Sequence, residues 1–107
     1  MSTRCQIKLK EEEDGIYIYK HCDGYPEGVM PILKPFVKRF IENRGYDYSY
    51  LLCQIVREFS REGDGGDYTG WGLDRVEHMN IEFLYEVDVN GDIYINGKLD
   101  SKEWNKE

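Results

Sequence analysis

An α+β domain is the fold this sequence predicts: strands, two helices and strands again in the order β-β-α-α-β-β, as a two-layer sandwich. A mainly antiparallel four-stranded sheet would carry an α-hairpin on one face. Three observations point there. Apolar residues alternate with period two near both ends of the chain, recur at helical spacing through its middle, and are separated by glycine-bearing turns. The 107 residues make a single domain, 1–107, because a chain this long buries roughly two-thirds of its unfolded surface around one core.

Residues 3–10 alternate, with Cys5, Ile7 and Leu9 facing one way and Arg4, Gln6, Lys8 and Lys10 the other. Glu11-Glu12-Glu13-Asp14-Gly15 is a solvated acidic turn, and from Ile16 to His21 the alternation resumes, Ile16 and Ile18 opposed to Tyr17, Tyr19 and His21. The pair reads as a hairpin. Val29, Leu33, Phe36, Val37, Phe40 and Ile41 then fall at helical spacing, ending at Asn43-Arg44-Gly45. Pro31 and Pro35 complicate the helix start, which is expected between Pro26 and Pro31 with a kink.

Asp47 suits the N-cap of a second helix, whose stripe Leu51, Leu52, Ile55, Val56 and Phe59 runs to Arg61 or Glu62 before Gly63 stops it. Residues 63–72 break all periodicity and set Tyr68 and Trp71 among glycines, a loop of the kind enriched in binding segments or an aromatic cap on the core. Ile81 to Val89 alternates as a strand, Asn90-Gly91 predicts a two-residue hairpin turn into Asp92–Asn96, and Asn96-Gly97 ends that strand. Residues 100–107 form a frayed turn carrying Trp104 or a mobile tail. With helices on one face, the other would show Arg4, Gln6, Lys8, Tyr17, Tyr19 and His21, with Glu82, Glu86 and Tyr94 beside them.

The net charge of −7 is unevenly spread: residues 1–45 carry eight Lys/Arg against seven Asp/Glu, residues 46–107 six against fourteen. Such a balance disfavours duplex nucleic acid and anionic membranes, whose binders cluster Lys and Arg. It leaves room for a protein partner with a basic face. No apolar stretch reaches the roughly 20 residues of a membrane span and no secretory signal opens the chain, so a soluble, cytoplasmic protein is expected. Cys5, Cys22 and Cys53, odd in number and widely spaced, suit reduced thiols.

The stretch His21-Cys22-Asp23-Gly24-Tyr25-Pro26-Glu27-Gly28 joins strand to helix and is the best candidate site. A helix start aims backbone N–H groups and a positive dipole end at one spot. Arg4, Lys20 and His21 could add charge there, and Tyr25, Tyr68 or Trp71 a stacking plane, for a small phosphate-like or nucleotide-like anion. Equally, Asp23-Gly24, Pro26 and Glu27 are what a tight turn into a helix requires with no ligand. His21 or His78 could act as a general base and Cys22 as a nucleophile, though no triad announces itself. No metal and no cofactor are expected. Cys5, His21, Cys22, Cys53 and His78 lack paired zinc spacing, and Asp88–Asp92 opens like a calcium loop but meets Ile93 and Leu99 where glycine and a bidentate acid belong.

The opening Met1-Ser2-Thr3-Arg4, the motif His21-x-Asp23-Gly24-Tyr25-Pro26-Glu27-Gly28, the Tyr68-Thr69-Gly70 loop and the Ile81–Tyr85 strand together resemble a family of small uncharacterised phage and prophage proteins. The sequence departs from that pattern at Cys22 and at Val76-Glu77-His78. The resemblance implies an intracellular accessory protein of viral or mobile-element type, where inhibiting a host defence is a common role. Residues and resemblance together predict a non-enzymatic binding or inhibitory module that holds a host protein or a small anionic ligand at the 21–28 turn and the open sheet face. Pairing of that face's tyrosines across a two-fold would make it a homo-oligomer. The alternatives are a phosphoester hydrolase using His21 and an acidic mimic of nucleic acid.

Overall fold

The computed structural model describes residues 3–10, 15–21, 23–60, 71–102 and 104. The α+β class holds, but among the described residues the sheet has six strands rather than four and is mixed, with one parallel pair, rather than antiparallel. In chain order the elements are β1 (Cys5–Leu9), β2 (Tyr17–Lys20), α1 (Pro26–Arg44), α2 (Tyr48–Ser60), β3 (Trp71–Asp74), β4 (Phe83–Val87), β5 (Ile93–Ile95) and β6 (Lys98–Leu99). Across the sheet the order is β3-β2-β1-β4-β5-β6. All neighbours are antiparallel except β1 and β4, which run parallel from Cys5 opposite Phe83 to Leu9 opposite Val87.

This order follows from the helical hairpin. Two helices return the chain to the end of the sheet it left, so β3 comes back antiparallel to β2. β3 and β4 then point the same way with two strands between them, and residues 75–82 must carry the chain back across the sheet. The helices already cover one face, so this crossover takes the other. Gln6, which faces away from the helices, is fully buried there. Its amide donates to the Val76 carbonyl at 3.1 Å and its carbonyl accepts the His78 N–H at 2.8 Å. The face expected to be open is therefore half covered.

Cys5, Ile7 and Leu9 of β1, Ile18 of β2 and Tyr85 and Val87 of β4 meet Val29, Met30, Leu33 and Val37 of α1 and Leu51, Ile55 and Phe59 of α2. Helix α1 starts at Pro26 and contains both Pro31 and Pro35. Proline fits the first helical position because its missing N–H would have no partner there. Gly45 (φ 78°) closes the helix by donating its N–H to the Ile41 carbonyl. Asp47 caps α2 as expected, its carboxylate accepting the Tyr50 N–H at 3.4 Å.

The two Asn-Gly turns differ from expectation in opposite senses. Asp88 and Asp92 pair across a three-residue loop, the Asp88 N–H donating to the Asp92 carbonyl and the Gly91 N–H to that of Asp88. Only Gly91 of that loop has positive φ (90°), which makes a one-residue bulge rather than the mirror-image two-residue turn. Asn96 (φ 51°) and Gly97 (φ 87°) are both left-handed, and instead of ending the sheet they turn β5 into β6. Beyond it, Lys34 clasps the C-terminal segment, its Nζ 2.7 Å from Asp100 Oδ2 and 2.6 Å from the Lys102 carbonyl, while Trp104 Nε1 donates to Asp100 at 3.1 Å. Residues 103 and 105–107 of the expected tail lie outside the described residues.

Candidate functional site

Strand alternation sorts the candidate residues between the two faces. Lys20 pairs with Cys5 and so faces the helices. The ladder ends at that pair; continued by one step, its alternation would bring His21 opposite Arg4 on the helix-free face. Lys20 is thereby separated from Arg4 and His21. Tyr19, opposite Gln6, shares their face, and its hydroxyl lies 3.1 Å from His21 Nδ1, a hydrogen bond whose direction follows the imidazole tautomer.

From the crossover comes His78, its ring 5.0 Å centroid to centroid from Tyr19 and its Nε2 3.0 Å from Asp74 Oδ2. The chain has two histidines, and both meet the same tyrosine. Each is half-exposed, so solvent and solutes reach them. The Gln6 bonds that pin the crossover also fix where the His78 ring sits. Arg4 is held by its backbone, its N–H donating to Glu82 Oε1 at 2.8 Å and its carbonyl accepting the Glu82 N–H at 2.9 Å.

The 23–28 turn lies at the foot of this cluster, packed backbone against backbone. A Cβ on Gly24 would stand 2.8 Å from Cys5 Cβ and 2.9 Å from the Thr3 oxygen, and one on Gly28 2.6 Å from the Asp23 oxygen. Asp23 itself is left-handed (φ 58°). Pro26 has no N–H, and those of Gly28 and Val29 both close on the Tyr25 carbonyl, so these first-turn amides are used within the turn. Asp23, Tyr25 and Glu27 are exposed. Tyr68 lies outside the described residues, as does Cys22; Trp71 pairs with Lys20 through its backbone.

Tyr85 ties the turn to the core: its buried hydroxyl donates to the Gly24 carbonyl at 2.6 Å. Burial pushes this phenol far above its ordinary range, with the Cys5 thiol and the Glu27 carboxylate adding to the shift. Burial likewise pushes the Cys5 thiol up to about 12, with Lys20 pulling it partly back. Neither is a nucleophile at neutral pH. Among the described residues no three His, Cys, Asp or Glu side chains gather to hold a metal. A groove of about 230 Å³ lies between Lys38, Ile41 and Glu42 of α1 and the Asn90–Asp92 turn, away from every residue nominated from sequence.

Sequence reasoning offered His78 as a general base without naming Asp74 beside it, and set Gln6 on the open face. The spacing Asp74-x-x-x-His78 was the available sign of the first; the burial of Gln6 depends on a crossover with no local signature. No family model, curated protein or solved structure matches this chain.

Proposed function

We propose that this protein is a small binding module that holds a phosphate-bearing, nucleotide-like anion at the margin of the helix-free face. What supports the reading is the convergence of both histidines on Tyr19, with Arg4 brought opposite His21 by the alternation continued one step past the ladder. Imidazole N–H groups, a guanidinium and a phenol are the donors that recognise phosphate, and an aromatic ring suits a base. The broader form of the reading, an inhibitory contact with a host protein of viral or mobile-element type, uses the same surface.

Inorganic phosphate, nucleoside monophosphates and cyclic nucleotides are the probes, read by thermal shift and by the imidazole signals in NMR. At least one should raise the melting temperature of the wild type, shift both histidine rings, and do less in Arg4→Ala and His21→Gln. If none moves either readout, the small-ligand reading fails.

A second reading rests on the bond between His21 Nδ1 and the Tyr19 hydroxyl, which orients an imidazole as a general base for phosphoester hydrolysis. Turnover of a nucleotide panel that disappears in His21→Ala is its expected result; turnover that is absent, or unchanged in the variant, removes it.

A further inference from the structure

The crossover covers the β1–β2 half of the Gln6 row on the helix-free face, and the next row stays accessible. Following the register across the sheet, that row reads Asp74, Tyr17, Lys8, Glu86, Tyr94 and Leu99 from β3 to β6. Tyr17 and Lys8 are joined by the ammonium lying 5.2 Å from the ring centroid. Lys10, one step beyond the end of β1, lies 4.6 Å from the Tyr94 ring. The four central side chains are all half-exposed.

Reversed about its midpoint, between β1 and β4, the row matches itself with opposite charge. Lys8 falls on Glu86, Tyr17 falls on Tyr94, and the mismatch of Asp74 with Leu99 is confined to the rim. From this we infer that a second copy of this chain docks on the helix-free face, the two sheets packed face to face about a two-fold axis parallel to the strands. Each copy's Lys8 then meets the partner's Glu86, and each Tyr17 the partner's Tyr94. Such self-complementarity is what an isologous interface requires. A tyrosine-centred patch with a polar rim also fits the composition of interface cores.

The relief of the face agrees with its charge. The crossover stands proud over β1 and β2 at the Gln6 level, with Val76 and Met79 65% and 102% exposed. A two-fold along the strands carries the partner's crossover to the same level on the other half of the sheet, over β4 and β5. There Leu84 and Asn96 are exposed or half-exposed, so the step on one copy fills the recess on the other. The partner's Val76 and Met79 then lose their exposure against Leu84. This association is independent of any ligand at His21.

The test is charge reversal followed by mixing. Wild type should sediment as a dimer at submillimolar concentration. Lys8→Glu sets a carboxylate against the partner's Glu86 at both symmetry-related contacts, and Glu86→Lys sets an ammonium against the partner's Lys8 in the same way. Each variant alone should therefore associate at least about 100-fold more weakly. An equimolar mixture should recover the dimer, since positions 8 and 86 are both carboxylates in the Lys8→Glu copy and both ammoniums in the Glu86→Lys copy, so each cross-copy contact again joins opposite charges. Within each variant the like-charge pair on β1 and β4 persists, so recovery reports the interface and not a repaired fold. In a mixed isotope-labelled wild-type sample, Tyr17 should show cross-copy nuclear Overhauser contacts to Tyr94, a readout that needs no variant. Monomeric wild type, a mixture of folded variants that stays monomeric, or a dimer without the tyrosine contacts would overturn the inference.

Discussion

Gln6 shows how much one side chain can decide when it sits between a sheet and the chain that crosses it. Its carboxamide satisfies one acceptor and one donor of the crossover, groups that an apolar side chain would leave unpaired. Gln6→Leu should cost about 2 kcal/mol, the low end of the roughly 1–3 kcal/mol per unpartnered backbone group, because both groups are only part-buried. Denaturant unfolding measures the loss, and faster amide exchange at His78 would localise it to the crossover.

Cys5 gives a second prediction at this scale. Its thiol is raised in the folded state from an ordinary 9.0 to about 12. Below pH 9 both folded and unfolded forms hold the proton and its contribution is whole. Above pH 9 the unfolded chain ionises first, so stability should fall by up to about 1.4 kcal/mol per pH unit until the folded thiol also ionises. Tyr85, raised in the same direction, adds to the decline above its ordinary 10.0. Cys5→Ala should flatten the alkaline limb of the stability curve. At neutral pH, alkylation should modify exposed Cys53 and spare buried Cys5.

At the scale of elements, the two Asn-Gly turns make opposite demands on their asparagines. Asn96 and Gly97 both need left-handed backbone, whereas in the other turn only Gly91 does. Gly97→Ala and Gly91→Ala should each cost about 1–2 kcal/mol, from the left-handed backbone alone, since a new Cβ on Gly91 would only touch Ile41 Cδ1 at 3.4 Å. Asn90→Ala should stay within about 0.5 kcal/mol. Thermal unfolding of these variants would separate the turn types.

Both helices and the β1, β2, β4 and β5 segments were legible because each repeats its apolar spacing over a full element. β3 was not, since its four residues include Gly72 and show too short an alternation to stand out from the glycines before it. β6, two residues long, carries less signal still. At the site, His21 and Arg4 were legible as a same-face pair from alternation alone. His78 and Gln6 were not, because their roles arise when the crossover folds over β1, the two residues being 72 positions apart in sequence.

For the whole molecule, β1 is the member that joins the halves. The β2–β3 side and the β4–β6 side touch through it, with Ile7 fully buried between Ile18 and Tyr85. Ile7→Ala should therefore cost about 2–5 kcal/mol. Far-UV and near-UV melting curves should superimpose in wild type and variant alike, as one cooperative unit requires. Two separated transitions would show that the halves fold independently.

Setting β1 at the centre, far ahead of its parallel neighbour β4 in the chain, also sets a timetable for synthesis. Cys5 leaves the ribosome well ahead of its parallel neighbour Phe83, by 83 − 5 = 78 positions. At about 5–20 residues per second, that leaves an apolar ribbon with one flank unfilled for roughly 4–16 s. Nascent chains halted before Phe83 should be digested readily by added protease, and those halted well past Leu99 should resist. The interval between is when the growing polypeptide most needs shelter from its own kind.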